Sequence, residues 1–187
     1  PESYNICLDV GGTKVLGAIF NEKDEIIYRL KKRSKSEGDG TADVEKVIIS
    51  VVEDMIKESG IDRKKLNAIA SCAPGVIDQG KGVVLFTPNL PWRNYDIKGS
   101  MEKRFGIPFY IGNDVNLGVL GEHRFGKDGG HAEEAATHIQ KTAPGPPRQM
   151  AVEITDSQMD LMNTLKYRPV RMMFSSVKGP APSVKEK

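Results

Sequence analysis

An α/β fold, with a mixed β-sheet flanked by helices, is what this 187-residue sequence predicts. Three observations carry the expectation. Two apolar, β-prone runs, Tyr4 to Leu8 and Val15 to Phe20, flank a glycine pair, and a third follows at Glu25 to Arg33. An amphipathic segment comes next, with Val44, Val47, Ile48, Val51, Val52, Met55 and Ile56 at three- and four-residue spacing. Beyond it, Leu66 to Cys72 is a largely apolar run of the kind buried on both faces of a sheet.

Taken in order, Asp9-Val10-Gly11-Gly12-Thr13-Lys14 joins the first two runs. A glycine pair between strands reads as a tight turn, because glycine reaches φ > 0 without steric cost. Such a turn leaves backbone N–H groups open to an anion. Thr13 adds a hydroxyl donor, Lys14 a positive charge, and Asp9 a carboxylate able to hold Mg²⁺ directly or through water. These are the parts of a phosphate and metal cradle, although the same pattern also occurs in hairpins that bind nothing. It is not a P-loop, since G-x-x-x-x-G-K-[ST] is absent and no helix pattern follows the glycines.

Asn21 to Asp24 is the turn before the third strand, so the first three strands should form an antiparallel meander. Ser34 to Gly40 reads as a loop, and Thr41 or Asp43 as the cap of a helix ending at Gly60. A strand reached through a helix is expected to run parallel to an earlier one. Ala73-Pro74-Gly75 ends that strand, and Val76 to Asp78 with Val83 to Phe86 reads as a hairpin. Thr87 to Trp92 is an irregular loop, Ile97 to Phe105 a short helix and Pro108 to Ile111 a strand. Val115 to Phe125 is a helix capped by Asn113 or Asp114. The resulting order is β-β-β-α-β-α-β-α.

Composition sets the class. With 39% hydrophobic and 28% charged residues the chain can build one good core. Its net charge of +2 gives no support for a nucleic-acid or membrane partner. The basic cluster from Arg29 to Lys35 reads as a solvated strand end. Cys7 and Cys72 sit inside apolar runs without C-x-x-C spacing, as expected for reduced, buried thiols of a cytoplasmic protein. No apolar stretch approaches the roughly 20 residues of a membrane span, and no secretory signal opens the chain.

Four segments, taken together, resemble the ROK family. They are Asp9 to Lys14, Ala73-Pro74-Gly75-Val76-Ile77-Asp78, Pro88-Asn89-Leu90-Pro91-Trp92, and Gly112-Asn113-Asp114-Val115-Asn116 with Leu120-Gly121-Glu122, in the family's order. That family groups bacterial-type sugar kinases, such as glucokinase, with related repressors and sugar-responsive regulators. The resemblance implies a first domain at residues 1–126, the amino-terminal lobe of a ribonuclease H-like, actin-like ATPase fold. It also implies ATP and Mg²⁺ as cofactors, and transfer of the γ-phosphoryl group to a hydroxyl of a hexose or amino-hexose. By the same resemblance Asp114 is the catalytic base, and Asp9, Gly11, Gly12, Thr13 and Lys14 bind the nucleotide phosphates. Asp9 serves the metal, and Gly75, Asn89, Asn113 and Asp114 line the sugar pocket. The residue types suit these roles: Asp114 opens a helix, where N–H groups favour an ionised carboxylate, and Asn113 offers both donors and an acceptor. Read alone, Asn113-Asp114 is more readily a plain helix cap.

The chain also departs from the family. Ser71-Cys72-Ala73 stands where many members have glycines, and residues 127–187 lack the glycine-rich phosphate motif, the Glu-x-Gly-His segment and the cysteine-rich zinc site of a second lobe. These residues form a second, unassigned C-terminal tail, with weak helix patterns at Glu133 to Lys141 and Val152 to Leu165, and with Pro180 to Lys187 read as disordered. Two functions follow: a sugar kinase, or a non-catalytic sugar-sensing or interaction module derived from one. Only a few residues precede the Asp9 turn, so a DNA-binding helix-turn-helix is not expected. A lobe face lacking its partner would favour self-association into a homo-oligomer unless the tail covers it.

Overall fold

In a computed structural model, residues 2–33, 41–118 and 185–186 are described. Strands β1 (Tyr4–Val10), β2 (Lys14–Phe20) and β3 (Ile26–Arg33) form the expected antiparallel meander. Helix α1 (Thr41–Ser59) leads to β4 (Leu66–Ala73), which lies parallel to β1. Strands β5 (Val76–Asp78), β6 (Val83–Phe86) and β7 (Arg93–Asp96) make a small separate antiparallel sheet. Helix α2 (Ile97–Phe105) then returns the chain to β8 (Phe109–Asn113), parallel to β4, and residues 114–118 start a further helix. A two-residue strand, β9 (Lys185–Glu186), pairs with β3, so the main sheet runs β8-β4-β1-β2-β3-β9.

The period-2 pattern of the strands decides the packing. Ile6, Leu8, Val10, Val15, Ile19 and Leu30 meet Ile48, Val51, Val52 and Met55 of α1, and all are fully buried. Burying each such side chain stabilises the fold by about 1.5–3 kcal/mol. The helix lies close on the sheet at Gly17, where a Cβ would stand 2.3 Å from the Met55 sulfur. The other face carries the smaller set Cys7, Ala18, Ala68 and Ala70 beside Phe20. Helix α2 is capped by Asp96, whose carboxylate accepts from Gly99 N–H at 2.8 Å, and it stops at Gly106 in the left-handed region (φ 62°). Tyr95 and Ser100 both donate to the Glu45 carboxylate and so tie β7 and α2 to α1.

Several expectations need correction. The glycine turn does not use φ > 0, because neither Gly11 nor Gly12 has a positive φ. It is closed by Gly11 N–H donating to the Lys14 carbonyl at 2.9 Å. What Gly12 supplies is space: a Cβ there would stand 3.0 Å from the Asn89 carbonyl oxygen. The basic cluster is not simply a solvated strand end either. Arg29 is 6% exposed, and Lys32 pairs with Asp54 at 2.7 Å while donating to Ser50 of α1. Long aliphatic stems let such residues cover apolar surface. Strand β7 was not expected, since Arg93-Asn94-Tyr95-Asp96 has no apolar run; pairing to β6 makes it a strand, with Asn94 at φ 48°. The expected loop at Ser34 to Gly40, the side-chain cap at Thr41 or Asp43, the remainder of the helix to Phe125, the boundary at residue 126 and the tail other than β9 lie outside the described residues.

The position that does demand glycine is Gly75. Its φ is +114°, and a Cβ would stand 2.1 Å from the Phe86 carbonyl oxygen and 2.8 Å from the Thr87 Cα, both backbone atoms. Gly75→Ala is therefore expected to lower the urea midpoint by the equivalent of about 2–3 kcal/mol, with the m-value unchanged. A midpoint equal to that of the parent chain would contradict this packing.

Candidate active site

The parallel strands β1, β4 and β8 all end at one edge of the main sheet. Their register places Asp9 beside Cys72 and Cys72 beside Gly112, and Asp114 follows two residues later. In open α/β sheets the ligand crevice forms at this carboxyl edge, where the chain turns away on either side. Asp9 is half-buried there and accepts the Cys72 thiol proton at 3.7 Å. Burial pushes the Asp9 carboxyl above its ordinary range and the Asp114 charge pushes it further, while the Cys72 bond and Lys14 pull it back. Cys72 is fully buried, and burial together with the two carboxylates pushes its thiol well up. It is therefore a thiol donor to Asp9 and not a nucleophile.

The glycine turn faces this edge. With Gly11 N–H engaged in closing the turn, the N–H groups of Gly12 and Thr13 and the exposed side chains of Thr13 and Lys14 remain for a ligand. The missing Cβ of Gly12 lets the turn rest against Asn89, so two segments 77 positions apart by their numbers meet here. Asn89 N–H in turn reaches the hydroxyl of buried Thr87 at 3.4 Å, and fully buried Trp92 anchors the far end of the loop. Thr87 also borders Gly75.

Asn113 completes the ring. Its Nδ2 donates to the Gly75 carbonyl at 2.7 Å, and its Oδ1 accepts Asn116 N–H at 3.0 Å. Asn113, rather than Asp114, is thus the cap of the helix at residues 114–118. Asp114 Oδ1 accepts Val115 N–H at 2.9 Å, which leaves its other oxygen available. Contacts link several of these residues in sequence: Gly12 on Asn89, Asn89 on Thr87, Thr87 on Gly75, Gly75 on Asn113, and Asp114 in the field of Asp9. Sequence reasoning missed Thr87 and the thiol of Cys72. The signal for Cys72 was its place in β4, since the strand parallel to β1 must put some residue beside Asp9.

Among the described residues, no group of three or more His, Cys, Asp or Glu side chains is placed to hold a metal ion. The Asp9 and Asp114 carboxylates at this edge fit Mg²⁺, which uses one or two carboxylates with substrate phosphates and waters. Among the same residues no helix is long and apolar enough to cross a membrane.

The fold is that of an actin-like ATPase lobe. It superposes on the crystal structure of a ROK family glucokinase from Streptomyces griseus in complex with glucose and AMPPNP, with a TM-score of 0.59 and 30% identity, covering 68% of this chain and 38% of that one. The ROK family profile matches residues 5–141, and the chain belongs to that family. Both kinases and repressors are among its relatives. The glucokinase of Thermotoga maritima is 32% identical over 132 residues, 70% of this chain and 40% of the kinase. The xylose repressor of Bacillus spizizenii is 30% identical over 128 residues, 68% of this chain and 33% of the repressor. The chain spans between 30% and 40% of the length of the curated relatives it matches.

A half-buried carboxylate raised by desolvation costs stability when it is charged. Because its folded value lies above the unfolded one, stability is fully present below the ordinary carboxylate range and is lost as the pH rises through the raised value. Asp9→Asn is thus expected to raise the melting temperature at neutral pH, with the gain shrinking as the pH falls to about 4 and below. A melting temperature lowered at neutral pH, or a gain independent of pH, would show that Asp9 carries no such desolvation cost.

Proposed function

We propose that this chain forms the amino-terminal lobe of an ATP-dependent sugar kinase that transfers the γ-phosphoryl group to a hydroxyl of a hexose or amino-hexose. The observation that carries the proposal is the meeting of Asp114, Asp9 and the Gly11-Gly12 turn at one sheet edge, with the Gly75 and Asn89 segments around them. Phosphoryl transfer needs little covalent chemistry from a protein: it needs a cradle for the phosphates, and a group that orients and deprotonates the attacking hydroxyl.

Asp114 is the general base in this reading. Val115 N–H holds its Oδ1, and Oδ2 takes the proton of the sugar hydroxyl as the oxygen attacks phosphorus. Asn113 keeps one N–H and one lone pair beyond its two bonds, enough to orient a sugar hydroxyl beside Gly75 and Asn89. The N–H groups of Gly12 and Thr13, the Thr13 hydroxyl and Lys14 receive the phosphates of the donor, with Gly11 holding the turn closed. Asp9 would hold Mg²⁺ directly or through water; when bound, that ion neutralises charge on the transferring group. ATP as donor is supported by the AMPPNP, and a hexose by the glucose, bound to the Streptomyces griseus relative. The two buried cysteines, neither in a disulfide, agree with the reducing cytoplasm in which such a reaction would run.

The similarity to a xylose repressor favours one alternative, a lobe that binds sugar as a signal without phosphorylating it. Steady-state phosphorylation over a panel of sugars, with sugar affinity measured separately, distinguishes the two. For the kinase, Asp114→Asn should lower turnover by about 10²–10⁴-fold while sugar affinity stays within about tenfold, because shape survives and only basicity is lost. Phosphorylation retained in Asp114→Asn would rule out the base, and sugar binding without any turnover by a two-lobed protein of the relatives' length carrying this lobe would establish the sensor.

A further inference from the structure

One pair of hydrogen bonds in the site does more than the proposed chemistry asks of it. Strand β8 ends at Asn113, in register with Ala73 at the end of β4. From there its amide reaches both ways, donating to Gly75 O at 2.7 Å and accepting Asn116 N–H at 3.0 Å. The Gly75 corner is itself fixed, since its backbone is pressed against the Phe86 carbonyl and the Thr87 Cα, with no room for even a Cβ. The bond of Asp114 to Val115 N–H at 2.9 Å joins adjacent residues, so it orients the carboxylate only relative to its own backbone. The position of that backbone is set by the residue before it.

We infer that Asn113 is a positioning residue for Asp114, clamping the start of the helix at residues 114–118 to the Gly75 corner. This rests on the reading of Asp114 as the base. The clamp makes the wall of the sugar pocket at Gly75 and the base one rigid piece. A sugar seated against that wall then meets the Asp114 carboxylate at a fixed distance. Such placement matters because a shift of about 1 Å in a reacting group can cost roughly 100-fold in rate. A residue that serves only as a sugar ligand would be read out in affinity, whereas a positioning residue is read out in turnover.

Three substitutions separate these roles. Asn113→Asp keeps an acceptor for Asn116 N–H and for a sugar hydroxyl, but sets a carboxylate oxygen against the Gly75 carbonyl. Asn113→Ser keeps a capping oxygen too short to reach Gly75, and Asn113→Ala has neither bond. In Asn113→Asp and Asn113→Ser, kcat should fall about tenfold or more through misplacement of the base. The sugar dissociation constant, from calorimetry without nucleotide, should rise by a smaller factor than kcat falls, since both variants keep an oxygen for the sugar hydroxyl. Amide hydrogen exchange at Asn116 should accelerate in Asn113→Ala and stay at the parental rate in Asn113→Ser, because serine restores the cap. Parental kcat with weakened sugar binding, or parental exchange at Asn116 in Asn113→Ala, overturns the positioning role alone. A two-lobed protein of the relatives' length that carries this lobe, binds sugar and never phosphorylates it overturns the kinase reading and the positioning role together.

Discussion

The constraint on which the rest of this lobe depends is the parallel register of β1, β4 and β8. Side chains alternate faces along a strand, so a slip of one residue in either pairing would carry Asp9 or the start of the Asp114 helix to the wrong side of the sheet. The register is held by burial. On the α1 face, Ile6, Leu8 and Val10 of β1, Ile69 and Ala73 of β4, and Phe109 and Ile111 of β8 are all within 1% of full burial. On the other face, small residues such as Cys7, Ala68 and Ala70 fill the alternate positions. The same periodicity that builds the core therefore delivers Asp9, Cys72 and Gly112 to one edge in a row.

What hangs on that edge is held by close approach, with side-chain length playing a small part. Gly12 touches the Asn89 backbone and Gly75 touches Phe86 and Thr87, each because a Cβ is missing. These contacts join the turn after β1 to the loop after β6, and the loop after β6 to the corner after β4. The small β5-β6-β7 sheet thus acts as a brace. It is tied to the helical layer through Tyr95 on Glu45, and Trp92 stacks on Tyr95 with ring centroids 5.5 Å apart. Asp9 gains nothing in stability from its place in this frame. Its charge is desolvated, with a thiol and Lys14 in partial compensation.

Much of this was legible in the sequence. The strands of the meander, α1, the β5-β6 hairpin and α2 follow directly from periodicity and turn residues, because in those segments local pattern and tertiary burial agree. The site residues were legible only as separate short motifs, and their resemblance to a family supplied the order in which to read them. Three features were not legible. Strand β7 exists because β6 offers an edge to pair with, which no property of Arg93-Asn94-Tyr95-Asp96 announces. Gly12 was expected to need its conformation and instead needs space, a distinction set by Asn89, far away in sequence. Arg29 looked like a solvated cation and is buried, because a sheet interior to the fold was not visible from a run of basic residues alone.

The central claim is that the turn after β1 and the start of the helix after β8 form one site for a metal-nucleotide. The most direct measurement is paramagnetic line broadening in the isotope-labelled chain, with Mn²⁺ and ADP standing in for the magnesium nucleotide. The account predicts that the amides of residues 9–13 and 112–116 broaden together, while those of α1 remain sharp. Broadening confined to surface carboxylates such as Glu25 and Glu53, with residues 112–116 unaffected, would contradict it.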